Sequence, residues 1–220
     1  MRDGIRKISG RDIGPAIAQV ADGATTVAGA LAIASRAGIR TLATGGIGGV
    51  HRGGGPRDES ADLEELARTR MIVVCAGAKS ILDLPATWER LDTLGIPVVG
   101  IGTEEFPGFF TAKTGIRLTT TARRASEVAR MATAHFAFGR KQAMLVVQPP
   151  PANVALDGAL VEKAVQAALA RADREGVSGA AVTPYLLESV SRETGGKTLE
   201  TNLALLEANA GLAAEIAAQL

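Results

Sequence analysis

The stretch Met71–Gly102, MIVVCAGAKSILDLPATWERLDTLGIPVVGIG, reads as strand, helix and strand. "MIVVCAG" is a near-continuous apolar run, as a strand buried on both faces must be. "LPATWERLDTLG" has the marks of a helix: Asp83 stands where an N-cap belongs, Pro85 falls in the first turn, and Gly95 follows the end. "IPVVGIG" is a second buried strand. Together they form a βαβ unit, whose crossover is expected to be right-handed.

The same alternation extends both ways and predicts a three-layer α/β/α domain with a mostly parallel or mixed central sheet. Upstream, Pro15–Val20 reads as a short helix, and "GATTVAGALAIASRAGI" as a small-residue helix ending at Gly38. "RTLATGG" is a strand that breaks into glycines, and "SADLEELART" is a short helix capped by Ser60 or Asp62. Downstream lie the loop "TEEFPGFFTAKTG", a helix near Ala125–Phe138, and the strand "AMLVVQ". Helices follow over Gly158–Gly176, Pro184–Thr194 and from Thr198 to the end. No repeat or low-complexity linker divides the chain, so residues 1–220 are read as one domain.

Composition narrows the function. A net charge of +1 leaves no electrostatic footprint for DNA or an anionic membrane. Aromatics at 3% are too few for a single-stranded nucleic-acid platform. No apolar run has the length of a membrane span. One cysteine, Cys75, excludes an intrachain disulfide, and a cytoplasmic, reducing setting is the expectation. Two separated histidines without partner cysteines make a zinc site unpromising.

Ligands of open α/β sheets bind beyond the carboxyl ends of the strands. Three stretches should meet there: "TGGIGGVHRGGG", "AGAKS" and "GTEEFPGFF". The glycine run Gly45–Gly55 is no Walker A and no clean dinucleotide fingerprint. It is either a tight turn or a backbone cradle for an anion, with His51 and Arg52 favouring the anion. Asp58 and Asp62 are four apart and would share a side if both were helical. Helix capping accounts for them, and either could also serve a hard divalent cation. Lys79 follows a buried strand among small residues. If it opens a helix, burial and the macrodipole both depress its pKa and make it a Schiff-base nucleophile. An ion pair with Asp83 or Glu104 explains it equally well on the residues alone. Lys7, Arg11 and Asp12 form a charged cluster that reads as a solvated face, and Cys75 reads as core.

A resemblance decides among these readings. "KISGRD" (7–12), "DGATTVA" (22–28), "TLATGGIGGVHRG" (41–53), "DESADLEELART" (58–69), the lysine stretch, "TEEFPGFF" (103–110) and "VTPYLLESVSRETGGKTLETNLALLEANA" (182–210) resemble the pseudouridine-5'-phosphate glycosidases, the indigoidine synthase A-like family. The resemblance runs from about Lys7 to the C-terminus. It implies a homotrimeric enzyme that reversibly splits the C–C glycosidic bond of pseudouridine 5'-phosphate into uracil and ribose 5-phosphate. It also implies a lysine adduct on the sugar and manganese in the site. Matched by motif, Lys79 is the nucleophile and Asp58 the metal ligand. Lys7 would meet the phosphate, and Val27, Ser60, Ala61, Asp62 and Asn202 would line the substrate.

The chain departs from the family pattern in three places. The family's segment before Lys7, with the glutamate of "ESTIISHGMP" as proton donor, has no counterpart in these 220 residues. The expectation is therefore an N-terminally truncated domain with open apolar faces and impaired activity. "FDISADL" becomes "RDESADL", with Arg57 and Glu59 in place of apolar residues. "NPIP" becomes "QPPP", with Gln148 in place of asparagine. Two other functions stay in play: another Schiff-base lyase acting on a sugar phosphate, and a non-catalytic phosphosugar-binding homologue.

Overall fold

The computed structural model describes residues 5–53 and 58–220. Its centre is a five-stranded sheet of β3 (Thr41–Ala43), β5 (Ile72–Cys75), β9 (Met144–Val147), β7 (Val98–Ile101) and β8 (Thr121–Ala122), in that order. Every pairing in it is parallel, with Ile72 opposite Met144 and Val98 opposite Leu145. The expected strands β5 and β7 are both present, but β9 lies between them. The helix joining them, α4 (Leu84–Thr93), thus crosses over an intervening strand. Local sequence cannot carry that order, because β9 enters from more than forty residues downstream.

The apolar run in β5 is buried throughout because each face meets a different layer. Side chains alternate along a strand. Val73 and Cys75 join one cluster with Leu31, Leu63, Leu66, Leu91, Leu145, Val161 and Val165. These come from α2 (Val27–Arg36), α3 (Ala61–Arg68), α4, β9 and α6 (Gly158–Arg174). Ile72 and Val74 join Met144, Val146, Val128, Ala132, Leu212 and Ile216 on the other face. Those belong to β9, α5 (Ala125–Ala137) and α8 (Lys197–Ala217). The result is three layers, helix on sheet on helix. The Cys75 thiol is buried and pushed up to about 12 by desolvation, in keeping with a core residue.

Short elements outside this sheet decide the surroundings of the site. The residues "GAT" at the head of the expected second helix form β2 (Gly23–Thr25), parallel to β1 (Arg6–Ile8). Helix α2 starts only after Thr26, whose hydroxyl accepts the Gly29 N–H. The alanine and glycine content of that segment concealed a β-branched pair, Thr25–Thr26, that favours extended backbone. A two-residue β4 (Val50–His51) pairs antiparallel with β6 (Leu82–Asp83). Helix α1 (Ile13–Ala18) begins two residues before the expected Pro15, and α7 covers Val182–Glu193. Around α1 and α2, Ile17, Val20 and Ile33 are 73%, 93% and 48% exposed. The longest helix, α8, also leaves Leu199 and Leu203 outward. No helix among the described residues is long and apolar enough to cross a membrane.

Candidate active site

The three expected loops do meet at the carboxyl ends of β3, β5 and β7. The Ala76 N–H donates to Gly45 O (2.8 Å), Ile47 N–H to Gly77 O (3.0 Å), and Lys79 N–H to Ile47 O (3.1 Å). The loop after β7 closes from the other side, with Phe109 N–H on Ala76 O (2.9 Å) and Ser80 Oγ donating to Gly108 O (2.6 Å). Glycine is required where these backbones touch. A Cβ on Gly77, at φ +78°, would lie 1.9 Å from Pro107 O. A Cβ on Gly46 would run into the Phe109 ring at 2.6 Å.

This geometry revises the phosphate-cradle reading of the glycine run. The Ile47, Gly48 and Val50 amides are taken up by Gly77 O, the Asp62 carboxylate and Thr87 Oγ1. These glycines let loops pack against one another. Gly54 and Gly55, at the end of the run, lie outside the described residues, as does Arg57.

Asp62 is the hub. It is 3% exposed, and its two oxygens accept from Ala28 N–H (2.8 Å) and Gly48 N–H (2.8 Å). It thereby ties the start of α2, where Val27 is the first residue, to the glycine loop. Ser60 is the N-cap of α3 and accepts the Asp62 N–H (3.2 Å), as its position before an acidic first turn indicated. Its Oγ lies 2.2 Å from where a Gly48 Cβ would be, so only glycine fits there. Ala61, next in line, is exposed. Val27 is half-buried against the core.

Lys79 lies in a turn closed by Leu82 N–H on Lys79 O (3.0 Å), and α4 begins only at Leu84. The helix-dipole argument for this lysine therefore falls away. Burial is what holds its ammonium below the ordinary lysine pKa, with the Asp62 charge opposing and the Lys7 charge adding to the depression. The ion-pair alternatives fall away too. The Asp83 side chain caps α4 through Ala86 N–H (2.9 Å), and no ion pair of Lys79 occurs among the described residues. A half-buried amine with a depressed pKa carries a neutral fraction able to attack a carbonyl carbon.

Lys7 lies on β1, exposed, with its charge reaching Lys79. Asn202, on α8, sets its Oδ1 3.2 Å from where a Gly45 Cβ would be, at the edge of the same loops. Asp58 stands apart. It precedes α3 rather than sharing its face with Asp62, because the helix starts at Ala61. Its carboxylate side chain is 56% exposed and meets His51 Nδ1 at 2.8 Å. Arg52, expected to favour an anion, is already engaged: it donates to Leu82 O, Ser80 O and Glu162.

Two residues of the site escaped the sequence reading. Asn209, fully buried on α8, donates to Thr44 O (2.8 Å) and accepts from Gln148 (2.9 Å), locking the end of β3 to the helix. Its seven-residue spacing from Asn202, two turns on one helix face, was the available signal. Phe109 sits buried at φ +67°, an uncommon conformation for a side-chain-bearing residue. Nothing in its sequence context announces that.

Residues 1–219 match the family model described as indigoidine synthase A like protein. A pseudouridine-5'-phosphate glycosidase of Gemmatimonas aurantiaca is 61% identical over 219 residues, covering 100% of this chain and 71% of the relative. One of Chloroflexus aurantiacus is 53% identical over 222 residues, covering 99% of this chain and 73% of the relative. Among solved structures, the prealnumycin C-glycosynthase in complex with ribulose 5-phosphate superposes with a TM-score of 0.93 at 43% identity. It is matched over 100% of this chain and 72% of its own. An indigoidine synthase A-like protein of Thermotoga maritima gives 0.91 at 38%, over 99% of this chain and 72% of its own. On these matches the chain belongs to the indigoidine synthase A-like family.

Proposed function

We propose that this chain acts on the C–C glycosidic bond of pseudouridine 5'-phosphate, with Lys79 as the nucleophile, and releases uracil and ribose 5-phosphate. The observation that carries this is the Lys79 turn. It places a half-buried amine, depressed in pKa by its burial, where three loops meet beyond the strand ends. The glycosidase names of the relatives and the sugar phosphate bound by the C-glycosynthase support the substrate class.

The step balances as follows. As the ribose ring opens, Lys79 Nζ bonds to C1' and the ring oxygen takes a proton. The C1'–C5 bond then breaks with its electron pair going to uracil C5, which takes a proton, and an iminium remains on the lysine. Water hydrolyses that iminium, freeing ribose 5-phosphate and the amine. The family resemblance implies a glutamate as the donor of the C5 proton. General acid help of this kind is worth about 10²–10⁴-fold.

Lys7, whose charge reaches Lys79, meets the phosphate. Val27, Ser60, Ala61, Asp62 and Asn202 border the sugar and base. For manganese, Asp58 is the carboxylate that would hold the ion: its side chain is 56% exposed and meets His51, and no group of three His, Cys, Asp or Glu residues that could hold a metal occurs among the described residues. A hard divalent ion held by one carboxylate and otherwise by water suits that setting, and when bound it would fix the waters around the substrate. A homotrimer is the assembly we infer from the family resemblance.

Borohydride reduction in the presence of ribose 5-phosphate tests the reading. Intact and peptide mass spectrometry should find the reduced sugar on Lys79, and Lys79→Ala should abolish it. Unchanged trapping in that variant would refute the assignment. Absence of trapping in the parent chain would favour the non-catalytic phosphosugar-binding alternative.

A further inference from the structure

We propose that Arg52 is a positioning residue for Lys79: its guanidinium fork holds the turn that carries the amine in its half-buried position. This rests on the reading of Lys79 given above. The arginine stands out because all three guanidinium nitrogens are engaged within the protein. Nε donates to Leu82 O (2.8 Å), Nη2 to Ser80 O (3.2 Å) and Nη1 to Glu162 (2.6 Å). The two carbonyls bracket Ile81 in the turn that begins at Lys79. A planar, five-donor fork can hold two such acceptors and a carboxylate at once, which an ammonium cannot.

The turn has a separate clamp on each side. Lys79 N–H is fixed to Ile47 O, and the Ser80 hydroxyl, on a side chain 4% exposed, is fixed to Gly108 O. Neither clamp reaches the carbonyls at Ser80 and Leu82: the Ile81 and Leu82 side chains pack into the core, and among the described residues Arg52 and the two-residue pairing of β4 and β6 supply the polar ties to the outer half of the turn from outside it. Arg52 is also anchored well. It follows β4 directly, and Glu162 on α6 fixes the far end of the fork, which lowers the pKa of that carboxyl. Its neighbour His51 holds Asp58. One dipeptide, His51–Arg52, thus touches both the carboxylate proposed for the cation and the turn of the nucleophile.

The consequence concerns the environment of the amine. Lys79 is depressed by burial, raised by Asp62 of α3 and lowered further by Lys7 of β1. Loosening the turn admits water and returns the amine toward the ordinary lysine range. Competitive labelling with acetic anhydride across pH, read by peptide mass spectrometry, reports the titration of Lys79 without any sugar. The variants are Arg52→Lys, which keeps the charge but not the fork, and Arg52→Met. Glu162→Gln keeps both carbonyl bonds and serves as the control.

The expected result is an upward shift of the Lys79 midpoint in both Arg52 variants. A shift of one unit means about tenfold less labelling at neutral pH. Glu162→Gln should stay near the parent. A lower melting temperature with an unmoved Lys79 midpoint would make Arg52 a structural strut only and overturn the proposal. So would a midpoint shifted as far in Glu162→Gln as in Arg52→Lys. If Arg52→Met does not fold, Arg52→Lys decides. Failure of the parent to trap ribose 5-phosphate bears on the function of Lys79 and leaves this titration test standing.

Discussion

Asp62→Asn is the sharpest perturbation the structure offers, because it changes one atom at a point where two buried backbone amides converge. The carboxylate accepts from Ala28 N–H and Gly48 N–H, each at 2.8 Å, and is 3% exposed. Asparagine retains one acceptor oxygen. Its amide nitrogen must face the other N–H, a donor against a donor, since no rotamer turns both groups into acceptors. One buried N–H left unpaired costs about 1–3 kcal/mol, and exchanging the surviving charge-assisted bond for a neutral one adds about 1 kcal/mol more. The sum is about 2–4 kcal/mol. For a chain of this size 1 kcal/mol corresponds to about 2–4 °C, so the melting temperature should fall by roughly 5–15 °C.

A second readout accompanies the first. Asp62 raises the pKa of Lys79, so its neutralisation should move the Lys79 labelling midpoint further down, not up. Thermal and urea unfolding followed by circular dichroism measure the stability, and acetic anhydride labelling measures the titration. A stability within about 0.5 kcal/mol of the parent, together with an unmoved Lys79 midpoint, would refute the hub role assigned to this carboxylate.

Two further outcomes follow from the same geometry. Gly77→Ala should cost more than about 2 kcal/mol, because a left-handed φ of +78° is compounded by a Cβ 1.9 Å from Pro107 O. Gly102→Ala, at φ +68° with open space around it, should lose only the conformational part, roughly 1 kcal/mol; equal melting temperatures for the two would contradict the close-approach account. Lys79→Met should stabilise the fold near neutral pH. The folded-state pKa of the lysine lies below its unfolded value, so the unfolded chain binds more protons between those two values and the parent's stability rises with pH across that window. Urea titrations of parent and variant at neutral and alkaline pH should therefore converge as pH climbs toward the unfolded lysine pKa. A gap that widens instead would show that Lys79 is not held in a desolvating site.

Local chemistry made much of this protein readable in advance. Asp83, Pro85 and Gly95 bound α4 because capping, a fixed proline φ and a left-handed stop act within a few residues. The run from Ile72 to Cys75 announced a strand covered on both faces, and the two core clusters take its residues alternately. Ser60 capped α3 as its position required. Lys79 does lie in the loop after β5, but the helix-dipole argument for it fails: its pKa is depressed by burial, while α4 starts five residues later. Burial is a property of everything packed around a residue, and no window of neighbours contains it.

The remaining facts belong to the tertiary structure for the same reason. The insertion of β9 between β5 and β7 pairs strands some seventy residues apart. Arg52 and Asp62 looked like groups awaiting ligands, yet each is engaged by partners from distant segments: Glu162 is 110 positions from Arg52, and Ala28 is 34 from Asp62. Asn209 reaches 165 positions to Thr44. Sequence determined which elements form and which residue types could do chemistry, because propensity, capping and turn preference act over a few bonds. Only the folded chain decided which of those groups were left available. A buried hydrogen-bonding group is committed by whichever partner folding brings to it, and sequence distance sets no limit on that partner.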